Sequence, residues 1–252
     1  MINKVESPVI EELFARGAHY GYSRSRRHAS VKPYIYGFKN KATIIDLDQT
    51  ILALEKAKDF LKEVGQSGKQ LLLVGTKPEA SSAVERVARR IGMPYVTARW
   101  IGGTLTNFTE IRRRIDRLEA LKSESASGGF KIYTKRERAK LDKEIQDLER
   151  YFASLVSLTK LPGAVLVIDS DAEGIAVAEA RRVGVPVVSI SSTDCNLNLV
   201  DYPIVGNDGS VLSIEYFVEA LATAYESGKV LAETPIVAPV VTAESPVLTL
   251  SL

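Results

Sequence analysis

The chain predicts an α/β fold: a doubly wound, mainly parallel five-stranded sheet with a protruding antiparallel α-helical (coiled-coil) hairpin. Three observations predict it. Short apolar runs at residues 70–75 and 164–169 alternate with segments of helical spacing. Those runs are apolar on both faces, as buried parallel strands are, and strand-helix alternation of this kind puts helices on both sides of the sheet. Between residues 104 and 160 the alternation stops, and two narrow apolar stripes separated by a polar break replace it.

The elements follow in order. Residues 43–47 are a short β-branched run. Ile51, Leu54, Ala57, Phe60, Leu61 and Val64 give residues 48–64 a helical period. After the strand at 70–75, Pro78 opens a helix that runs to Ile91, with Gly92 just past its end. Residues 93–97 are the next strand. Asn107 with Glu110 reads as a helix cap with its reciprocal acid, followed by Phe108, Ile111, Ile115, Leu118 and Leu121. A Ser/Gly-rich break covers 123–129. Thr134 with Glu137 is a capping box, ahead of Leu141, Ile145, Leu148, Phe152, Leu155 and Leu158. This second helix should span about 25 residues, or roughly 38 Å, more than one sheet face needs, so the hairpin is expected to project. The alternation then resumes: a strand at 164–169, a helix at 172–183 stopped by Gly184, strands at 185–190 and 202–205, and a helix at 210–225 ending at Gly228. Repeated proline beyond that point predicts an extended or disordered tail. The resulting division is a basic segment at 1–42, a discontinuous α/β domain at 43–103 and 161–228, an inserted hairpin at 104–160, and a tail at 229–252.

Charge is unevenly placed. The 252 residues carry a net charge of +2, yet the 33 residues from Leu13 to Ile45 hold no Asp or Glu. They hold seven cations (Arg16, Arg24, Arg26, Arg27, Lys32, Lys39, Lys41) and six aromatics (Phe14, Tyr20, Tyr22, Tyr34, Tyr36, Phe38), so this block is +7 and the remainder −5. A cationic segment laced with flat rings suits a polyanion whose units have flat faces, a nucleic acid. The alternative is a solvated basic loop. No window approaches the ~18 consecutive apolar residues of a membrane helix, and the first residues lack the apolar core of a signal peptide. One cysteine, Cys195, excludes an internal disulfide, and with only His19 and His28 beside it no zinc cluster is expected. A cytosolic protein without metal or cofactor is the expectation.

Other candidate sites each have a structural counterpart. Gly75-Thr76-Lys77-Pro78 follows a strand and opens a helix; it can cradle a phosphate, or be an ordinary turn, since it matches neither glycine-rich nucleotide fingerprint. Asp169 and Asp171 end a buried strand, where open α/β sheets place ligands; they can bind Mg²⁺ or accept a proton, or Asp171 can cap the following helix. Cys195 has no base partner in sequence and reads as a passive thiol. Trp100, beside Arg99 and a double glycine, can stack on a base or wedge the hairpin against the sheet. Arg112, Arg113 and Arg114 point in different directions round a helix, so at least two avoid its apolar seam. The distal hairpin, residues 117–140, has seven cations and three acids.

Several of these segments, in consistent order, resemble one family: protein two of the bacterial small ribosomal subunit. The Gly17-Ala18-His19-Tyr20-Gly21 and Lys32-Pro33-Tyr34-Ile35 segments resemble its N-terminal signatures. Ile44-Ile45-Asp46-Leu47 and Val74-Gly75-Thr76-Lys77 are similar to two more. Arg99-Trp100-Ile101-Gly102-Gly103-Thr104-Leu105-Thr106-Asn107-Phe108 matches its most specific run. Tyr133-Thr134-Lys135 and residues 162–169, 179–186 and 206–208 extend the pattern. Departures are Tyr22 where the family usually has His, His28 for Trp, Ala29-Ser30 for Asn-Pro, and a changed loop at 192–197. The resemblance implies a doubly wound domain with a helical hairpin and no catalysis. It implies binding to small-subunit rRNA between head and body, and support for docking the first, large mRNA-binding protein of that subunit. It implies no membrane and no small-molecule substrate. The residues expected at the RNA are Arg16, Tyr22, Arg24, Arg26, Arg27, Lys32, Tyr34, Lys77, Arg99, Trp100, Asn107, Arg112 and Arg113. The rival reading is an α/β small-molecule or nucleotide-binding enzyme working near Thr76 and Asp169; a third makes the hairpin a self-association module.

Overall fold

The computed structural model describes residues 8–233. Helix α1 (Pro8–Ala15) leads into β1 (Tyr20–Ser23), two 3-10 turns at Arg24–Arg26 and Ala29–Tyr34, β2 (Ile35–Lys39) and β3 (Ala42–Ile45). Then come α2 (Leu47–Gln66), β4 (Leu71–Val74), α3 (Pro78–Ile91), β5 (Tyr95–Val96), α4 (Phe108–Ala126), α5 (Lys135–Phe152), β6 (Ala164–Ile168), α6 (Gly174–Val183), β7 (Val187–Ser191), β8 (Tyr202–Val205) and α7 (Val211–Glu233).

Strands β4 to β8 form a parallel five-stranded sheet in the order β5-β4-β6-β7-β8. Strand periodicity divides its side chains between two cores. Leu71, Leu73, Leu166, Ile168 and Ile190 pack with α2, α3 and α7, whereas Leu72, Val74, Val165, Val167 and Val187 pack with α6 and the root of the α4–α5 hairpin. Both faces are covered, which is why β4, β6 and β7 read as unbroken apolar runs.

Residues 43–47 are placed differently from the sequence reading. They divide between β3 and the start of α2, and β3 joins a separate antiparallel sheet in the order β1-β3-β2. The cause is a two-residue turn: Asn40 and Lys41 stand at φ +49° and +69°, folding β2 back so that Lys39 faces Ala42. Positive φ at both turn positions matches the twist of an antiparallel pair. Lysine gives that turn no glycine signature.

Gly92 and Gly184 end α3 and α6 as left-handed caps, as read. Gly228 does not end α7; the helix runs on to Glu233, so residues 229–233, expected as the start of an extended tail, are helical. The reason is packing. A Cβ on Gly228 would lie 2.0 Å from the Lys62 carbonyl oxygen, and one on Gly65 would lie 2.3 Å from that of Tyr225. These glycines let α2 and α7 touch backbone to backbone. Residues 234–252, where the rest of the expected tail falls, lie outside the described residues, as do residues 1–7.

The hairpin comprises 19 residues of α4 and 18 of α5. The second helix is shorter than its apolar spacing implied because the chain tightens into a 3-10 turn at Ala153–Leu155. Thr134 and Glu137 form the reciprocal capping box. Asn107 does stand at the start of α4, but its side chain makes no cap bond, and Glu110 pairs with Arg113 instead. Ile111, Ile115, Leu118, Phe152, Leu155 and Leu158 join the second core. Before Phe152, α5 buries no side chain, and Leu121 and Phe130 are buried near the turn outside both cores.

Candidate nucleic-acid interface

The acid-free block folds into the small sheet and its connecting turns. Val31 and Ile45 pack with Cys195, Leu197 and Val205, with Tyr34 and Ile35 against them, and this third core pins the block to the ends of β7 and β8. The backbone N–H of Tyr22 donates to Thr193 Oγ1 at 2.9 Å, and that of His28 to the Thr193 carbonyl at 2.9 Å. With its apolar side chains turned inward, the block leaves Arg24, Arg26 and Lys32 exposed and Arg27 half-buried. The Arg24 and Arg27 guanidinium carbons lie 5.5 and 5.9 Å from the centre of the Phe38 ring, and that of Arg26 lies 4.8 Å from the Tyr22 ring. Such contacts contribute about 0.5–1 kcal/mol at exposed sites, too little to hold a guanidinium against a phosphate. Among the described residues none of these four cations has a carboxylate in ion-pair contact. Lys39 and Lys41, on the turn that carries β2 into β3, are exposed as well.

Arg16 is placed otherwise. Its guanidinium pairs with Glu12 at 2.8 Å and lies 5.3 Å from the ring centre of Tyr216 on α7. Beside it His19 is buried, stacked on Phe14 at 4.1 Å with Nδ1 unpartnered. Burial, helped by Lys39, lowers its pKa.

Lys77 lies at the carboxyl ends of β4 and β6, the switch point at which an open parallel sheet of this strand order usually takes a ligand. Here the protein fills the place itself. Its ammonium pairs with Asp169 and, at 3.1 Å, with Asp208. Asp169 stands at φ +68° and accepts the backbone N–H groups of Asp171 and Ala172 at 3.0 and 3.1 Å, so it is Asp169, not Asp171, that closes this turn. The following helix, α6, begins at Gly174 rather than Ala172. Glu173 accepts the Thr76 backbone N–H at 2.8 Å, together with its hydroxyl, which occupies a donor that a phosphate cradle needs. Burial pushes Asp208 up to about 7, the neighbouring Asp169 adding to this against the pull of Lys77. Asp169 is held below the usual carboxylate range: burial opposes this, but the Lys77 bond and the turn N–H groups outweigh it. Burial, with Asp169, also pushes the Cys195 thiol up to about 12, so it is no thiolate nucleophile. Asp169, Cys195 and Asp208 each bring one possible ligand atom within 4.8 Å of the others; the Lys77 ammonium already supplies the cation between the two carboxylates.

Residues 17–22 form a roof over this cluster. Asn207 donates from its backbone to the Ala18 carbonyl at 3.0 Å and from Nδ2 to that of Gly17 at 2.9 Å. Gly21 passes so close to Thr193 that a Cβ there would lie 2.5 Å from its Cγ2.

At the hairpin root, Arg99 and Asn107 are exposed, but Trp100 is buried in the second core, its ring faces closed to a base. The residue that organises this loop escaped the sequence reading. Glu179 of α6 is buried, and its carboxylate accepts from Trp100 Nε1 at 3.2 Å, from the backbone N–H groups of Gly103, Leu105 and Thr106 at 2.7, 3.0 and 3.2 Å, and from Thr106 Oγ1 at 3.2 Å. Burial raises its pKa, but these donors outweigh it and hold the carboxyl below its ordinary value. A signal was present: Ala176, Ala180 and Val183 mark the core-facing stripe of this helix, and Glu179 interrupts it. An acid on a buried stripe requires donors. On the hairpin, Arg112 donates to the Val156 carbonyl at 3.0 Å and pairs with Asp116 and Glu119, while exposed Arg113 pairs only with Glu110.

Comparison with known proteins agrees with this architecture. The family model described as ribosomal protein S2 matches residues 13–228. The chain is similar to the small ribosomal subunit protein uS2 of Mycobacterium leprae (strain TN), 41% identical over 219 residues that cover 87% of this chain and 79% of the relative. The proteins of the same name from Nocardia farcinica (strain IFM 10152) and Geotalea uraniireducens (strain Rf4) are each 40% identical over 87% of this chain, covering 77% and 86% of their own lengths. With the family model spanning both sheets and the hairpin, and relatives matched over most of their length, this chain belongs to the ribosomal protein S2 family.

Proposed function

We propose that the chain is a structural constituent of the small ribosomal subunit in the cytoplasm, holding small-subunit rRNA by the cationic face of residues 20–41. The observation that carries this reading is the set of unpaired guanidiniums, Arg24, Arg26 and Arg27, carried on Tyr22 and Phe38 in a segment without a single acid. Phosphate neutralisation supplies affinity there, and the roof at 17–22 fixes the face against the α/β body. Lys32, Lys39, Lys41 and Arg99 extend the same chemistry, and Tyr34 lies beside it. The exposed cations Lys131, Lys135, Arg136, Arg138 and Lys140 at the far end of the hairpin are suited to a second RNA element. Lys77, Arg112 and Trp100 serve the fold in this reading, Arg16 stays with Glu12, and Asn107 and Arg113 are rim contacts. Placement between head and body, and support for docking the first, large mRNA-binding protein, follow from family membership.

The enzyme reading places its ligand at the β4/β6 crevice, where the protein's own lysine and carboxylates sit beneath its own backbone. The self-association reading needs the hairpin seam, which α4 and α5 use on each other; Arg117 reaches Glu144 at 3.0 Å and Lys122 reaches Glu149 at 2.6 Å across it.

The test is the triple reversal Arg24→Glu, Arg26→Glu, Arg27→Glu. It should leave cooperative unfolding intact and abolish incorporation into small subunits. In binding titrations against small-subunit rRNA, each phosphate contact removed should lower the steepness of log affinity against log salt by about 0.7–0.9. Normal incorporation of a folded variant would overturn the reading.

A further inference from the structure

We propose that Glu179 is the positioning residue of the hairpin: one buried carboxylate on α6 sets the direction in which α4 leaves the α/β body, and so where the cationic tip lies. In its RNA consequence this rests on the function proposed above.

The chain between β5 and α4 holds no regular structure, and Gly103 within it stands at φ +92°. Such a segment has no ladder to fix it. Its fixed geometry comes from converging N–H groups, and in many proteins a nest of that kind closes on an anion. Here the anion is internal. Five donors from Trp100, Gly103, Leu105 and Thr106 close on the Glu179 carboxylate, and both oxygens are used. The loop leads directly into Phe108, the first residue of α4. Because Glu179 lies on α6, whose Ala176, Val177 and Ala180 pack against the sheet, the loop is referenced to the rigid body rather than to the hairpin. The second leg of the hairpin is held separately, through Arg112 on the Val156 carbonyl. Removing the carboxylate's charge frees the loop end and leaves that contact in place. Glutamine has the shape of glutamate, but its amide turns one set of donors against others, so it tests the charge and not the volume.

The experiment uses the full chain with spin labels on Gln66→Cys at the end of α2 and Ser125→Cys near the hairpin turn, both exposed. Cys195 is buried and stays unlabelled. Wild type should give a narrow distance distribution between the labels. Glu179→Gln should broaden or shift it while the circular dichroism of the fold is kept, and Thr106→Val, which deletes one donor at an exposed position, should give a smaller broadening. Should Glu179→Gln not fold, Thr106→Val decides alone. An unchanged distribution in the folded variants overturns the proposal. A second readout separates positioning from a general weakening. Glu179→Gln should reduce affinity for small-subunit rRNA by about tenfold, the size of one lost charged hydrogen bond expressed as a binding ratio. It should reduce it no further in a chain already carrying Lys131→Ala, Lys135→Ala and Arg136→Ala. Equal losses in both backgrounds would show that the tip's placement is not what Glu179 sets. If wild type itself ignores the rRNA, the functional reading fails and the label distances still decide the structural one.

Discussion

The cluster around Lys77 and the face around Arg24 are built from the same kinds of side chain and behave in opposite ways. Lys77 touches two buried carboxylates and is held under the chain's own backbone. Arg24, Arg26 and Arg27 rest on aromatic rings with no carboxylate in ion-pair contact among the described residues. Counting cations along the sequence ranks these regions alike; counting acids brought beside them by the fold does not. A cation is available to a polyanion only where the fold has left its charge unmatched. The largest effect that tests this is Lys77→Met. It keeps the aliphatic stem and leaves Asp169 and Asp208 buried without their counter-ion, a loss of about 3–5 kcal/mol of stability. Urea unfolding measures it. The salt dependence of RNA binding by the folded fraction should not change, and a reduced slope would return Lys77 to the interface.

The same cluster predicts a dependence on pH. Asp208 has a folded pKa raised to about 7 above an ordinary carboxyl value near 3.8. Between those values the folded state binds the proton that the unfolded chain has released, so this group's contribution to stability falls as pH rises from about 4 to 7 and is flat beyond. Asp169 works the other way: its pKa is lowered, so its contribution is present above its unfolded value and is lost as pH falls through the folded one. Stability in urea, followed from pH 4 to 8, should therefore carry a downward component that Asp208→Asn removes. A variant whose profile overlays wild type would show that Asp208 is ionised throughout. The cationic face has no group of this kind, so its reversal should leave the shape of the profile alone.

Much of this was legible in the sequence, and the remainder was hidden for physical reasons. The five parallel strands announced themselves because burial on both faces demands unbroken apolar runs, as in Leu71–Val74 and Ala164–Ile168. Gly92 and Gly184 were readable as stops because nothing packs near their Cα atoms, whereas Gly228 was misread because its missing side chain serves a helix contact 166 residues away in the chain, at Lys62. The β2–β3 turn was missed because Asn40-Lys41 adopts a conformation that glycine normally marks. At the site, the acid-free block was visible as composition. The engagement of Lys77 was not, since its partners come from the ends of two other strands. Glu179 lay between: its place on an apolar stripe was visible, the loop it gathers was not.

The smallest effects sharpen the same contrast within one turn of helix. Arg112 and Arg113 are neighbours on α4, and sequence gives no reason to separate them. Arg112 is half-buried and ties α4 to the far leg of the hairpin through the Val156 carbonyl, besides its pairs with Asp116 and Glu119. Arg113 is exposed and holds only Glu110, three residues back on the same helix. Arg112→Ala should cost about 1–2 kcal/mol, from a charged hydrogen bond to a carbonyl that loses its partner. Arg113→Ala should cost less than about 0.5 kcal/mol, as exposed pairs within a helix do. For RNA affinity the order should reverse: the loosely paired Arg113 can leave Glu110 for a phosphate, and Arg112 cannot leave Val156 without opening the hairpin root. Unfolding midpoints and rRNA titrations of the two single variants decide it. If Arg112→Ala is the weaker binder at unchanged hairpin geometry, matched charge is no guide to which cations face the RNA, and the contrast between Lys77 and the basic face loses its generality.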